Sequence, residues 1–266
     1  LSYCKPFPEI KSAIKRVERQ NGGFKHSSSG YFTLQRRLST ATPVMYDMYL
    51  LNLDTIFKLY GKDGNRETNA DFCHQELLER DDLIRFEDLP MGAFVMFISH
   101  QWSGFDHPDP NGHHMKVLLK MLWDLRDGRY SVETETFHVL VYKQNTITSS
   151  SEWKHLLSNA YIWYDWFSQP QPSRGKNTVE VTVLSRDLNL ALDSVPAYVE
   201  RADILVILAP TCVHADKIDQ RTSRKRYLCY RTWRKRGYCV LEFFCANLSR
   251  RSTHPVLLCQ SVCWSA

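Results

Sequence analysis

No run in this 266-residue chain approaches the ~20 apolar residues that a helical membrane span requires. No Walker A loop, GxGxxG, GxSxG or HExxH pattern is present. Kinase, Rossmann oxidoreductase, serine hydrolase and zincin chemistry therefore lose their sequence support. The eight cysteines include no CxxC and no compact spacing, so they outline no disulfide framework. Several sit in apolar runs, where a free thiol behaves as a small hydrophobe, and the pattern reads as a reducing, cytoplasmic compartment. No internal repeat is visible. Excess charge is scarce too: 34 basic residues against 29 acidic leave +5, too mild to imply nucleic acid. The first residue is Leu1 rather than Met, so the sequence reads as a fragment, and a missing signal peptide excludes nothing.

What remains is ordinary globular composition, 43% hydrophobic and 24% charged, in a length that suits one large domain plus an extension. Residues 1–43 read as weakly ordered: Asn21-Gly22-Gly23 and Ser27-Ser28-Ser29-Gly30 are linker-like, with a basic helix over Lys11–Arg19. Residues 44–90 form a helical lead-in, with Asp54 as a cap and a second helix over Asp71–Arg80. The main domain spans 91–266. Its first strand, Ala93–Ile98, is a continuous apolar run, as expected of a central parallel strand buried on both faces. A helix follows over 113–126, then an insertion at about 127–160 holding a strand (Phe137–Tyr142) and a helix capped by Ser151. The second strand, Tyr161–Asp165, enters a Pro-rich loop at 166–172 that we read as non-helical. A helix over Ser185–Ala202, kinked or split at Pro196, leads to the strand Ile204–Leu208. A basic loop, a helix carrying Glu242 and a last strand (Pro255–Cys259) complete the chain. Alternating strands and helices predict an α/β domain: a three-layer parallel sheet with helices on both faces.

The segment Arg236-Gly237-Tyr238-Cys239-Val240-Leu241-Glu242 places the only carboxylate of its neighbourhood just inside a short helix. Strand, polar loop and helix is the arrangement by which α/β folds build ligand sites. Glu242 is thus either a chemical group or a helix acid paired with an arginine of the 231–236 run. Ser99, His100 and Trp102 lie where the first strand opens. Trp102 could stack on a ligand ring or pack as a core aromatic. Asp165 could hold a ribose hydroxyl or cap the next loop, and Trp166 and Phe167 could wall a pocket or fill the core. Cys239 packs rather than reacts, since no nearby His orients it. From Lys217 to Arg236, nine basic residues face one acid, Asp219, a run that attracts a diphosphate or nucleic acid or is simply solvated. His100, His107, Asp109, His113 and His114 are metal-ligand types, but their irregular spacing argues against a metal site.

Five of these segments, in order, resemble the TIR (Toll/interleukin-1 receptor) family: Phe97-Ile98-Ser99, Tyr164-Asp165, Ala191–Ala202 followed by Asp203–Ala209, Tyr238–Glu242, and His254–Leu258. The likeness covers roughly 91–266. Tyr238 stands where the family usually has Trp and Phe243 where it has Leu. The loop after Asp165 lacks the usual glycine pattern, and the sequence stops after the fourth strand. The resemblance implies a flavodoxin-like fold. It implies cleavage of NAD at the nicotinamide–ribose bond in a signalling or defence context, with Glu242 as the catalytic carboxylate. Ser99, His100, Trp102, Asp165, Trp166, Arg236 and Cys239 would surround the substrate, with no metal or further cofactor. The alternative it implies is a non-catalytic signalling module that works by self-association or with TIR-like partners. Homo-oligomers fit both readings; nucleic acid fits neither.

Overall fold

The computed structural model describes residues 42–61, 72–133, 147–218, 224–248 and 256–260. The helix expected over Lys11–Arg19 and the strand expected over Phe137–Tyr142 fall outside them.

The lead-in is more than helical. Its first element is a strand, β1 (Tyr49–Asn52), and Asn52 caps the helix that follows, α1 (Leu53–Tyr60), by accepting the Asp54 N–H at 2.8 Å. Asp54 therefore sits in the first turn, not at the cap as expected; there its charge complements the helix dipole. Next come α2 (His74–Glu79) and β2 (Leu83–Arg85). β1 pairs antiparallel with β2, and the two strands extend one edge of the main sheet. A four-residue strand inside a dense apolar run has no alternation to reveal it, so the run reads equally well as helix.

The remaining elements follow in chain order. They are β3 (Phe94–His100), α3 (His113–Arg126), the short pair β4 (Val132–Glu133) and β5 (Ile147–Thr148), and α4 (Ser150–Leu157). Then come β6 (Ala160–Trp163), α5 (Asp165–Ser168), α6 (Thr178–Arg201), β7 (Ile204–Leu208), β8 (Cys212–Ile218) and β9 (Lys225–Leu228). The last are α7 (Tyr230–Trp233), α8 (Gly237–Leu248) and β10 (Val256–Cys259). The main sheet has six strands in the order β10-β7-β3-β6-β1-β2. Its contacts β3/β6, β3/β7 and β7/β10 are parallel, whereas β1/β6 is antiparallel. The sheet is therefore mostly rather than wholly parallel, which corrects the all-parallel expectation. Counted along the chain, the four parallel strands lie in the order 2-1-3-4, compatible with a flavodoxin-like fold.

Strand alternation divides the core in two. Phe94, Met96 and Ile98 of β3 point to one face with Ile162, Val206 and Leu257, under α1, α3 and α4. Val95 and Phe97 point to the other, with Trp163, Leu205, Ile207 and Leu258, under α6 and α8. Every residue of β3, β6, β7 and β10 is buried, as parallel strands covered on both sides require. Trp163 stacks on Phe97 with ring centroids 4.1 Å apart, pinning β6 to β3 on the α6 side.

Four local expectations change. Ser149, not Ser151, caps α4, in a box completed by Glu152. Asp165–Ser168 forms one helical turn in the loop read as non-helical, and Pro172–Arg174 a 3-10 turn. Pro170 lies beyond the first turn and Pro172 opens the second, positions where the missing N–H costs nothing. Pro196 is accommodated inside α6, which runs unbroken through it and starts earlier than expected. The basic stretch is not one loop: β8 and β9 form an antiparallel hairpin outside the main sheet. Among the described residues no helix is long and apolar enough to cross a membrane.

The lead-in is clamped by α6. Ser194 Oγ accepts the backbone N–H groups of Met45 and Tyr46 at 2.7 and 3.1 Å, and the Tyr198 hydroxyl donates to the Tyr46 carbonyl at 2.6 Å. Ser194 is fully buried, and Ser194→Ala would remove the acceptor of two part-buried backbone donors that ties the lead-in to α6. We expect a loss of about 1 kcal/mol and a lower melting temperature in thermal denaturation.

Candidate functional site

The parallel order switches direction at β3. Such folds open a crevice beyond the carboxyl ends of the strands at that point. β3 ends there in two polar residues, Ser99 and His100, in register with Ile207 and Leu208 of β7. Both are buried, so each hydroxyl or ring nitrogen left unpaired would be costly.

Ser99 is satisfied from both directions. The indole N–H of Trp233, at the end of α7, donates to its Oγ at 3.1 Å, and the Ser99 hydroxyl donates to Glu242 Oε2 at 2.5 Å. α8 thus delivers the Glu242 carboxyl to the end of the central strand. Its hydrogen-bond partner is Ser99 and not an arginine of the preceding run. Glu242 is only partly exposed, and burial raises its pKa to about 8. The negative charge of Asp165 pushes the same way, while the Ser99 hydrogen bond and Arg236 oppose it. At neutral pH this carboxyl is mostly protonated.

Asp165 behaves in the opposite way. It opens α5, directly after β6. Its Oδ1 accepts from His100 Nε2 at 2.8 Å and from the Trp166 N–H at 2.7 Å, and its Oδ2 accepts from Trp102 Nε1 at 2.6 Å. Burial works to raise its pKa, but the pull of the His100 ring and these three donors outweigh it and hold the carboxylate below its usual range. Two carboxyls at one end of the sheet are thereby set apart, one neutral and one ionised. Environments that separate titratable groups in this way are a mark of acid–base and electrostatic sites.

The expected site residues fall into two groups. Glu242, Ser99, Asp165 and Trp102 meet at the strand ends, and Arg236, exposed just before α8, bears electrostatically on Glu242. His100, Trp166 and Cys239 are enclosed. The His100 ring stacks on Tyr164 with centroids 4.3 Å apart and serves Asp165. Trp166 is buried beside His107 and beneath the Arg174 guanidinium. The Cys239 thiol donates to the His100 carbonyl at 3.4 Å, and burial raises its pKa, which makes it a packing group. Asp165 is the first residue of α5 and not its cap, which is Tyr164; its carboxylate accepts the next backbone N–H, of Trp166, and anchors Trp102.

Sequence reasoning missed Trp233, hidden in the basic run, although a lone Trp among charges is a hint of an anchor. His114, weighed in the sequence only as a metal-ligand type, lies edge-on to His100 at 5.6 Å, and burial and the neighbouring His100 lower its pKa to about 4. Gln101 ties the loop after β3 to α7 through Thr232 Oγ1 at 2.8 Å. Among the described residues no group of three or more His, Cys, Asp or Glu side chains is placed to hold a metal ion.

No protein-family model, no curated protein and no solved structure matches this chain.

The raised Glu242 pKa has a measurable consequence. In the unfolded chain this group titrates near 4.5, and in the folded protein near 8. Below pH 4.5 both states are protonated. As the pH rises from 4.5 towards 8 only the unfolded chain ionises, so stability falls, and the loss is complete above 8. Glu242→Gln keeps the neutral shape and removes the titration. We expect it to melt like the parent at pH 4.5 and several degrees higher at pH 8 or above.

Proposed function

We propose that this protein is a TIR-like NAD nucleosidase in which Glu242 is the carboxylate that faces the reacting sugar. The observation that carries the reading is the Ser99–Glu242 hydrogen bond, which sets an acid at the carboxyl end of the central parallel strand, at the switch point of the sheet.

Cleavage breaks the bond between ribose C1′ and the pyridinium nitrogen. The electron pair leaves with nicotinamide, and positive charge develops on the ribose. Water then attacks C1′ and loses a proton. A fixed carboxylate beside the sugar stabilises the cationic transition state, as in glycoside hydrolysis. Glu242 is mostly neutral before the substrate arrives, but the pyridinium of NAD carries a positive charge. Its approach favours the ionised carboxylate and releases a proton. Asp165, already ionised and held by three donors, fixes Trp102, whose ring can stack on a planar heterocycle. Arg236, exposed just before α8, suits the diphosphate.

Nicotinamide release by the purified protein tests this. Glu242→Gln should lower turnover by about 100-fold or more. For the parent, kcat/KM should rise with pH and level off above about 8, because the free enzyme must lose the Glu242 proton. A profile that falls through the same range, or turnover untouched by Glu242→Gln, would remove Glu242 from this role. A folded, self-associating sample without any release would favour the scaffold reading instead.

A further inference from the structure

Among the described residues, one face of α8 is left uncovered. Cys239 and Ala246 pack inward, and Glu242 turns to Ser99. On the outward face Tyr238, Leu241, Phe244 and Leu248 recur at helical spacing, 54, 42, 52 and 78% exposed. Four large apolar side chains in a row on a twelve-residue helix are not the scatter of a normal surface. Directly ahead of this stripe stand Arg231, Arg234, Lys235 and Arg236, all exposed. The strand that leads into them adds Lys225, Arg226 and an outward Tyr227. Residues 224–248 hold seven basic side chains and a single acid, Glu242, which is already engaged.

We propose that this face of α8, with the basic segment before it, docks on an anionic lipid bilayer. The chemistry of the two halves argues for that occupant. The basic residues complement phosphate and serine headgroups, each contributing near the surface. The apolar stripe can enter the boundary of headgroup and acyl chain, as interfacial helices do. Leu241 and Leu248 gain little from nucleic acid, which offers bases for aromatic stacking and phosphates for charge but no aliphatic medium. A helix ridge is also convex, and a bilayer yields to a ridge where a protein partner must supply a matching groove. The inference does not depend on NAD chemistry, since Leu241, Leu248, Arg234 and Lys235 lie outside the proposed reaction.

Flotation of the purified chain with lipid vesicles decides the matter. Vesicles of phosphatidylcholine alone are compared with vesicles containing about one third phosphatidylserine. The protein should float with the anionic vesicles only, and binding should weaken as salt is raised. The pair Arg234→Glu and Lys235→Glu should reduce binding by roughly tenfold or more. The pair Leu241→Glu and Leu248→Glu should abolish what remains at high salt. All four sites are exposed, and circular dichroism checks that each variant is folded. Failure of the folded parent to float overturns the proposal. So does equal binding to both vesicle types, or a stripe variant that merely converts a self-associated parent to monomers without changing flotation.

Discussion

A buried strand that ends in polar residues is the constraint on which this structure turns. β3 is covered on both faces along its whole length, so its last residues cannot reach bulk water from within the sheet. Ser99, through its hydroxyl, and His100, through Nε2, find partners from other elements on opposite sides, while the buried His100 Nδ1 has none among the described residues. Ser99 bonds with Trp233 of α7 and Glu242 of α8; His100 bonds with Asp165 of α5. Three elements distant in sequence are therefore held together by the need to satisfy two adjacent side chains. An apolar residue at position 99 would relieve the strand but strand the Glu242 carboxyl and the Trp233 indole, each with a desolvation penalty of its own.

The same arrangement accounts for the divergence of the two acids. Asp165 receives three donors and keeps its charge; Glu242 receives one and does not. Proximity reinforces the split, since the charge on Asp165 helps to keep Glu242 protonated. Burial alone would raise both, so the pull of the His100 ring, followed by the three donors, decides which carboxyl is ionised, and depth does not. This links secondary structure to chemistry directly: a helical turn that begins at Asp165 supplies one donor from its own backbone, whereas α8 presents Glu242 from its interior, where backbone N–H groups are already spent in the helix.

Legibility in the sequence tracked how many independent signals each element carried. β3, β7 and β10 were readable because a fully buried parallel strand is a short, unbroken apolar run, and the helices between them alternate predictably. Glu242 and Ser99 were readable as positions, one inside a helix and one at a strand end. That they touch was not, because no local pattern encodes a contact between residues 143 positions apart. β1 was hidden by its apolar neighbours. The β8–β9 hairpin was hidden by charge: its outer side is basic and exposed, while His214 and Cys212 are the inward residues, a composition that resembles a loop. Trp233 was missed for the same reason, since it matters through a partner in space, as does the contact of His114 with His100.

α8 exposes a different kind of mismatch. Its sequence, Gly237 to Leu248, contains one charged residue, and a helix apolar all round is normally enclosed on every side. Here the sheet and α6 cover only part of it. Among the described residues neither Leu241 nor Leu248 is enclosed by the core, and both are exposed. When local composition and position in the fold disagree, the explanation lies outside the isolated domain. Glu242 lies on the enclosed side, between Cys239 and Ala246, so Ser99 holds the one acid of the helix inward while the apolar stripe turns away from it.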